Sequence, residues 1–194
     1  MSAPETGQGQ TGQGRAVFLD RDGVLNRVFV RDNVSYPPAT LDEVELMPGA
    51  IEMAVRLREL GFYRLVVTNQ PDVARGRQQK ERVAEINDYM VERLRLDAVY
   101  TCYHDTSDGC DCRKPQPGLL LQAAREWSVN LERSFLVGDR YNDIEAGRQA
   151  GCITFLFNQG YAGRPGVEPD YRVSSLAEVV NIIAGRIQKE ENKL

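Results

Sequence analysis

The sequence predicts an α/β fold with a doubly wound parallel sheet, because short apolar strands alternate along the chain with amphipathic helices. The strands at residues 16–19, 65–67 and 134–138 are apolar at almost every position, so both of their faces have to be covered. No linker and no internal repeat divides the chain. We therefore expect one domain whose sheet lies between two layers of helices.

The individual elements follow from apolar spacing and from the residues at their ends. The helix predicted over residues 48–60 begins at Pro48-Gly49 and is followed by Gly61, a suitable C-terminal glycine. The other predicted elements are helix 78–95, strand 98–101, helix 117–128, helix 142–150, strand 153–157, strand 171–173 and helix 175–187. Residues 1–14 are rich in glycine and nearly devoid of apolar residues, which predicts a disordered tail. The domain should therefore span residues 15–187, with a charged C-terminal tail at 188–194.

Composition limits the classes of partner. The chain has 194 residues, with 24 Lys and Arg against 28 Asp and Glu, for a net charge of −4 and no basic block. This balance argues against nucleic acid and anionic membrane surfaces as partners. No apolar run is long enough to span a membrane and the N-terminus does not resemble a signal peptide, so we expect a cytoplasmic protein. The acidic, polar composition is compatible with a monomer, which is our expectation.

Polar and charged side chains follow several of the predicted strands. In a doubly wound sheet ligands bind at the carboxyl ends of the strands, so these residues should meet at one edge. They are Asp20, Asp22, Thr68, Asn69, Arg113, Lys114, Asp139, Arg140 and Asp143.

This set of residues suits phosphoryl transfer. Asp20 and Asp22 repel each other unless a cation binds or one of them is protonated. With Asp139 as a third oxygen donor the acids suit Mg²⁺. Thr68 and Lys114 can hold the oxygens of a phosphoryl group and neutralise its charge.

Four motifs in order resemble the haloacid dehalogenase (HAD) superfamily of phosphatases. They are DxDGV at 20–24, TN at 68–69, RKP at 113–115 and GDxxxD at 138–143. The resemblance implies a HAD-like Rossmannoid fold and a nucleophile, Asp20, that forms an aspartyl-phosphate. It also implies that Asp22 is the general acid and base, and that Asp20, the backbone carbonyl of Asp22 and Asp139 hold Mg²⁺, with Asp143 in support. Phosphate-binding roles fall to Thr68, Asn69, Arg113, Lys114 and Arg140.

Other interpretations of these motifs stay open at this point. A DxDG segment alone is typical of a surface turn or a calcium-like loop, and Arg140 alone would be a solvated cation. A receiver-type phospho-accepting switch also combines acids, Thr and Lys around Mg²⁺. The acceptor residue of a receiver follows a middle strand, however, and no acid lies two residues after it, whereas Asp20 and Asp22 follow the first strand. A binding module with an inactive site is a further alternative.

Three of the four cysteines and the single histidine lie within eleven residues. Cys102, His104, Cys110 and Cys112 supply four soft ligands, which predicts a closed, structural Zn²⁺ site, although iron can occupy such sites. This zinc-binding loop runs directly into Arg113 and Lys114. Cys152 enters an apolar strand and is expected to pack in the core.

The C-x-H…C-x-C-R-K-P arrangement resembles the group of histidinol-phosphate and D-glycero-D-manno-heptose 1,7-bisphosphate phosphatases, and residues 66–76 resemble its heptose members. The resemblance implies a phosphatase with no separate cap domain that removes the 7-phosphate of a heptose bisphosphate. A histidinol-phosphate or another small sugar-phosphate phosphatase is the alternative. The sequence departs from the heptose members of this group in two places: loop 26–46 is longer, and Pro71-Asp72 replaces a small Ser-Gly type pair. Arg31, Tyr36 and Arg75 are candidate sugar or second-phosphate contacts, or simply solvated loop residues.

Overall fold

The computed structural model describes residues 14–31, 34–157 and 166–192. In chain order its strands are β1 (Ala16–Leu19), β2 (Phe29–Arg31), β3 (Val34–Tyr36), β4 (Tyr63–Asn69), β5 (Ala98–Cys102), β6 (Phe135–Gly138), β7 (Ile153–Phe157) and β8 (Tyr171–Val173). The helices are α1 (Ala50–Glu59), α2 (Lys80–Leu94), α3 (Gly118–Glu126), α4 (Tyr141–Ala150) and α5 (Leu176–Glu191). None of the described helices is both long and apolar enough to cross a membrane.

Six strands form one parallel sheet in the order β5-β4-β1-β6-β7-β8. Alternate residues of β1 point to opposite faces. Val17 and Leu19 pack with residues of α1, α2 and α5, whereas Ala16 and Phe18 pack with residues of α3 and α4. The predicted doubly wound α/β fold is therefore confirmed, and both faces of the apolar strands are buried.

The sheet order brings the catalytic candidates together. β1 lies at the centre of the sheet, between β4 and β6. All three strands are parallel, so their carboxyl ends share one edge, where Asp20, Asn69 and Asp139 lie.

Loop 26–46 contains an antiparallel hairpin that the sequence pattern does not predict. β2 pairs with β3 through Phe29 opposite Tyr36, and both aromatic side chains are exposed. Strands of three residues show too little alternation to be recognised from spacing alone. Beyond this hairpin, the described part of the segment between β1 and β4 holds a short 3₁₀ turn and α1, so it forms no cap domain.

The ends of the domain differ in part from the prediction. α5 continues past residue 187 to Glu191, into the segment expected to be a charged tail, because Gln, Lys and Glu favour helix. At the other end Gly14 pairs with Val129 and its amide donates to Ser128 O at 3.1 Å. The predicted tail at residues 1–14 otherwise lies outside the described residues, as do residues 193–194.

Candidate active site

A cavity of about 300 Å³ opens at the carboxyl edge of β1, β4 and β6. Polar and charged residues that follow the strands or precede α3 form most of its wall. The lining residues are Asp20, Asp22, Pro37, Asn69, Gln70, Pro71, Asp72, Arg75, Arg113, Lys114, Arg140, Asn142 and Asp143. Most of the predicted site residues therefore meet in one cavity.

Three carboxylates converge at the base of this site. Oxygens of Asp20, Asp139 and Asp143 lie within 4.8 Å of one another, and all three residues are buried. Burial, together with the nearby Asp143 and Asp22, raises the pKa of Asp20 to about 6 against the opposing effect of Lys114. Burial, with Asp20 and Asp143 nearby, also raises the pKa of Asp139 well above its usual range.

Asp139 is the member of this cluster that fits a metal ligand best. Neither of its buried carboxylate oxygens has a hydrogen-bond partner among the described residues. Arg140 Nε lies 3.9 Å from Oδ2, too far for a hydrogen bond. A buried acid without a donor is costly unless it is protonated or binds a cation. The oxygen-rich donor set therefore fits a hard divalent cation such as Mg²⁺.

Gly23 lets the backbone after β1 approach Asp139. The residue has φ +91°, and a Cβ atom placed there would lie 2.2 Å from Asp139 Oδ2. Any L-residue at this position would enter the space in which the carboxylate lies. The glycine of the DxDG motif is thus explained by both its backbone conformation and this close approach.

Lys114 provides the positive charge at the base of the cavity. Its buried ammonium group contacts Asp20 Oδ1 at 2.9 Å and Asp143 Oδ1 at 2.5 Å, and donates to Val67 O at 2.7 Å. Burial opposes its charge, but Asp143 and Asp20 outweigh this effect, so the pKa of Lys114 is raised. Lys114 therefore stays protonated and holds the nucleophile candidate in place.

Asn69 fixes the backbone of Lys114. Its Nδ2 donates to Lys114 O at 3.0 Å, and its Oδ1 accepts from Lys114 N at 3.1 Å. Although Asn69 lines the cavity, its amide is engaged with this backbone. The residue thus joins the end of β4 to the segment before α3.

Asp22 is surrounded by hydrogen-bond donors that the motifs do not identify. Arg21 donates through Nε and Nη2 at 3.1 Å each, Asn26 through Nδ2 at 3.0 Å and Gln70 through Nε2 at 2.6 Å. Burial acts to raise the pKa of Asp22, but these donors, Arg21 first, lower it. The carboxylate is consequently held in one orientation facing the cavity that it lines.

Arg21 is itself held by buried polar groups. Its Nη1 donates to Oδ1 of Asn87 on α2 at 2.8 Å, and Asn87 Nδ2 donates to Thr101 Oγ1 on β5 at 3.1 Å. Arg21 is only 1% exposed. Its position between the two acids of DxD is the one signal of its role in the sequence, and no signal links it to Asn87.

Thr68 lies behind the cavity wall. It is fully buried, and its Oγ1 accepts a hydrogen bond from Gln70 Nε2 at 2.9 Å. The wall at the end of β4 is formed by Asn69 and Gln70. The structure therefore places the Thr68 hydroxyl next to Gln70 and not at the open surface of the cavity.

Among the described residues, three arginines line the cavity. Arg113 donates through Nη1 to His104 O at 3.1 Å, so the predicted zinc-binding loop is joined directly to the cavity wall. Arg140 and Arg75 also line the cavity. Tyr36 lies in an adjoining cavity, whereas the side chain of Arg31 lies outside the described residues.

Cys102, His104, Cys110 and Cys112 form a second cluster, with ligand atoms within 4.8 Å of one another. The Sγ atoms are 3.2 to 3.7 Å apart, and His104 Nδ1 lies 3.3 Å from Cys112 Sγ. Sulfur ligands about 2.3 Å from a tetrahedral zinc ion are separated by roughly 3.8 Å, so the four atoms need only small shifts apart to hold one. Cys152 is buried in the core, as expected. The cluster is therefore chemically and geometrically suited to a closed metal site.

Comparison with known proteins places the chain in a family. Residues 111–179 match the model of the HAD-hydrolase-like family. The chain is 32% identical over 189 residues to D-glycero-beta-D-manno-heptose-1,7-bisphosphate 7-phosphatase of Pasteurella multocida, covering 88% of this chain and 97% of that protein. It is 37% identical over 142 residues to the enzyme of the same name from Helicobacter pylori, covering 70% and 78% of the two chains.

A solved structure is also similar to this chain. The crystal structure of D,D-heptose 1,7-bisphosphate phosphatase from B. bronchiseptica, complexed with magnesium and phosphate, is similar with a TM-score of 0.75 and 30% identity. The match covers 89% of this chain and 99% of that one. Fold and site together define a HAD-like hydrolase. Within this class, the chain belongs to the family of D-glycero-D-manno-heptose-1,7-bisphosphate 7-phosphatases, which are phosphoric monoester hydrolases.

Proposed function

We propose that this chain is a phosphomonoesterase that removes the 7-phosphate of D-glycero-β-D-manno-heptose 1,7-bisphosphate. The observation that carries the proposal is the contact between Lys114 and Asp20 in a buried cluster of acids. The activities of the similar proteins support the heptose substrate and its β anomer over histidinol phosphate, the alternative left open by the motifs.

The proposed nucleophile is Asp20. Its pKa of about 6 leaves it largely ionised at neutral pH, and Lys114 orients one of its oxygens. Attack by the carboxylate on phosphorus forms an aspartyl-phosphate as the bond to the leaving sugar oxygen breaks. Lys114, Arg113 and Arg140 compensate the charge of the phosphoryl oxygens.

The proposed general acid is Asp22. A phosphate dianion bound beside it favours its protonated form, which counteracts the donors that lower its pKa. Asp22 then gives a proton to the leaving alkoxide. In the second step its carboxylate accepts a proton from water, which attacks phosphorus and releases phosphate and free Asp20.

Two metal ions belong to this proposal. Asp20, Asp139 and the backbone carbonyl of Asp22 would hold Mg²⁺, with Asp143 positioned by Lys114 in support. Bound there, Mg²⁺ would supply charge compensation for the phosphoryl oxygens. The orphaned oxygens of Asp139 support this assignment. The Cys102, His104, Cys110 and Cys112 cluster would hold a structural Zn²⁺.

Phosphate release with Mg²⁺ tests the proposal. Substrates are both anomers of the heptose bisphosphate, histidinol phosphate and simple sugar phosphates. We expect repeated turnover with the highest kcat/KM for the β anomer, and no turnover by Asp20→Asn with its fold intact. Activity in that variant would contradict the mechanism. Even turnover of all small esters would contradict the heptose assignment, and a single phosphorylation without release would indicate a receiver-type switch.

A further inference from the structure

A second cavity of about 350 Å³ adjoins the catalytic cavity. The two cavities share three wall residues, Pro37, Gln70 and Asp72. The second cavity is also lined by the exposed aromatic rings of Phe29 and Tyr36. Apolar surface with a few polar groups is typical of sites that orient a small molecule. A phosphate ester with its phosphoryl group at Asp20 thus has a second compartment available for its organic part.

Asp72 is the acidic residue at the junction of these compartments. Its carboxylate contacts Arg75, with Nη1 3.3 Å from Oδ1. Arg75 makes shorter bonds to another acid, since its Nη2 and Nε lie 2.6 Å and 2.9 Å from the two oxygens of Asp105. Among the described residues no group donates to Oδ2 of Asp72, whose side chain is 30% exposed. The carboxylate therefore keeps acceptor capacity at the junction.

The carboxylate of Asp72 acts in opposite ways on the two parts of a phosphate ester. A carboxylate near a phosphate dianion repels it and lowers its affinity. The same carboxylate favours binding when the organic part of the ester presents hydroxyl groups, because hydrogen bonds to an ionised acceptor are stronger than those between neutral groups. Removing the charge of Asp72 should therefore strengthen the binding of a phosphate without hydroxyl groups and weaken the binding of an ester whose hydroxyl groups donate to it.

We propose that Asp72 is a specificity-determining residue that accepts hydrogen bonds from sugar hydroxyls of the substrate. Gln70 and Pro37 form the wall beside it, and the rings of Phe29 and Tyr36 line the same compartment. Asp72 thereby selects polyhydroxylated phosphate esters over esters without hydroxyls. The inference rests on the proposed function for the identity of the sugar.

Binding measurements on a catalytically inactive background test this inference separately from turnover. We would measure Kd by calorimetry for Asp20→Asn and for Asp20→Asn with Asp72→Asn, in Mg²⁺. The probes are D-glycero-β-D-manno-heptose 1,7-bisphosphate and inorganic phosphate, which has no sugar. Asp105→Asn in the same background is the control, because it weakens the hold on Arg75 and keeps the carboxylate of Asp72.

We expect Asp72→Asn to weaken heptose bisphosphate binding about 10- to 100-fold relative to phosphate, the range of a hydrogen bond to a charged group. Asp105→Asn should keep the ratio of the two Kd values. Unchanged or tighter binding of the heptose bisphosphate in the Asp72→Asn variant overturns the inference. So does an equal loss of heptose affinity in the Asp105→Asn control. Absence of heptose binding by the Asp20→Asn protein overturns it as well. Failure of the proposed function would be detected in a different assay, because the wild-type protein would then release no phosphate from the heptose bisphosphate.

Discussion

The backbone at Gly23 and the carboxylate of Asp139 occupy adjoining space, since a Cβ on Gly23 would lie 2.2 Å from Asp139 Oδ2. The two residues are more than 100 positions apart in the sequence, so this contact shows that the loops after β1 and β6 pack closely against each other. The metal-ligand candidate Asp139 therefore depends on the absence of a side chain at residue 23.

Gly23→Ala should displace the Asp139 carboxylate and weaken Mg²⁺ binding. We expect activity to fall at least tenfold at limiting Mg²⁺, together with a loss of about 1–3 kcal/mol of stability from the positive φ and the clash. Mg²⁺ titration of phosphate release and urea unfolding would measure these effects. Gly151→Ala is the control, because Gly151 has a φ of +86° and a Cβ added to it would meet no atom within 4 Å. It should lose stability and retain its Mg²⁺ dependence; the same shift in both variants would contradict the contact argument.

Asp20→Asn should stabilise the protein without Mg²⁺, and more at pH 7.5 than at pH 5. Burial and neighbouring acids raise the pKa of Asp20 to about 6, from 3.8. The cost of its buried charge is thus complete above pH 6 and disappears as the pH falls towards 4. We expect a gain on the order of 1–3 kcal/mol at pH 7.5, since one pKa unit is worth about 1.4 kcal/mol.

Urea unfolding of both proteins at the two pH values, in buffer freed of divalent cations by dialysis, measures this gain. Added Mg²⁺ should stabilise the wild-type protein and reduce the difference. A gain that is larger at pH 5 than at pH 7.5 would show that burial of the Asp20 charge is not its cause.

Cys112→Ser should remove the metal from the Cys and His cluster and lower Tm. Cys112 Sγ lies 3.2 Å and 3.4 Å from the sulfurs of Cys102 and Cys110, so its loss opens the ligand set. We expect about one zinc per chain in the wild-type protein and much less in the variant, by elemental analysis. Cys152→Ala removes a buried cysteine outside the cluster and should keep the zinc. Zinc retained equally in Cys112→Ser would rule out its role as a ligand.

Asn87→Leu should destabilise the protein, because it leaves the buried guanidinium of Arg21 with one acceptor fewer. The Arg21 Nη1 bond to Asn87 Oδ1 is 2.8 Å long, and Arg21 is 1% exposed. A buried donor without a partner costs about 1–3 kcal/mol. Urea unfolding would measure the loss, and Asn87→Asp, which keeps an acceptor for Arg21, should lose less. Equal stability of the Leu variant and the wild-type protein would contradict this account.

The sheet and the position of the site could be predicted from the sequence because both depend on local patterns. The apolar strands identify β1, β4 and β6, and the polar residues that follow them identify Asp20 and Asp139. Contacts between distant segments have no such pattern. The bond from Arg21 to Asn87 and the pairing of Arg75 with Asp105 join loops and helices whose approach is decided by the completed sheet.

The hairpin and Thr68 show two other limits. Strands β2 and β3 have only three residues each, too few for a periodic signal. Thr68 and Asn69 are adjacent in sequence at the end of β4 and point to opposite faces of the sheet; Thr68 is fully buried, and Asn69 lines the cavity. A motif identifies such a pair without stating which member faces the site.

The central position of β1, between β4 and β6, has a consequence for folding kinetics. The pairings that bring Asp20, Lys114 and Asp139 together link segments far apart in the chain, and such contacts form slowly compared with local ones. No single hairpin or helix pair among the described elements contains more than one of these three residues. Recovery of phosphatase activity after dilution from denaturant would therefore report completion of the whole sheet, later than the recovery of helix content.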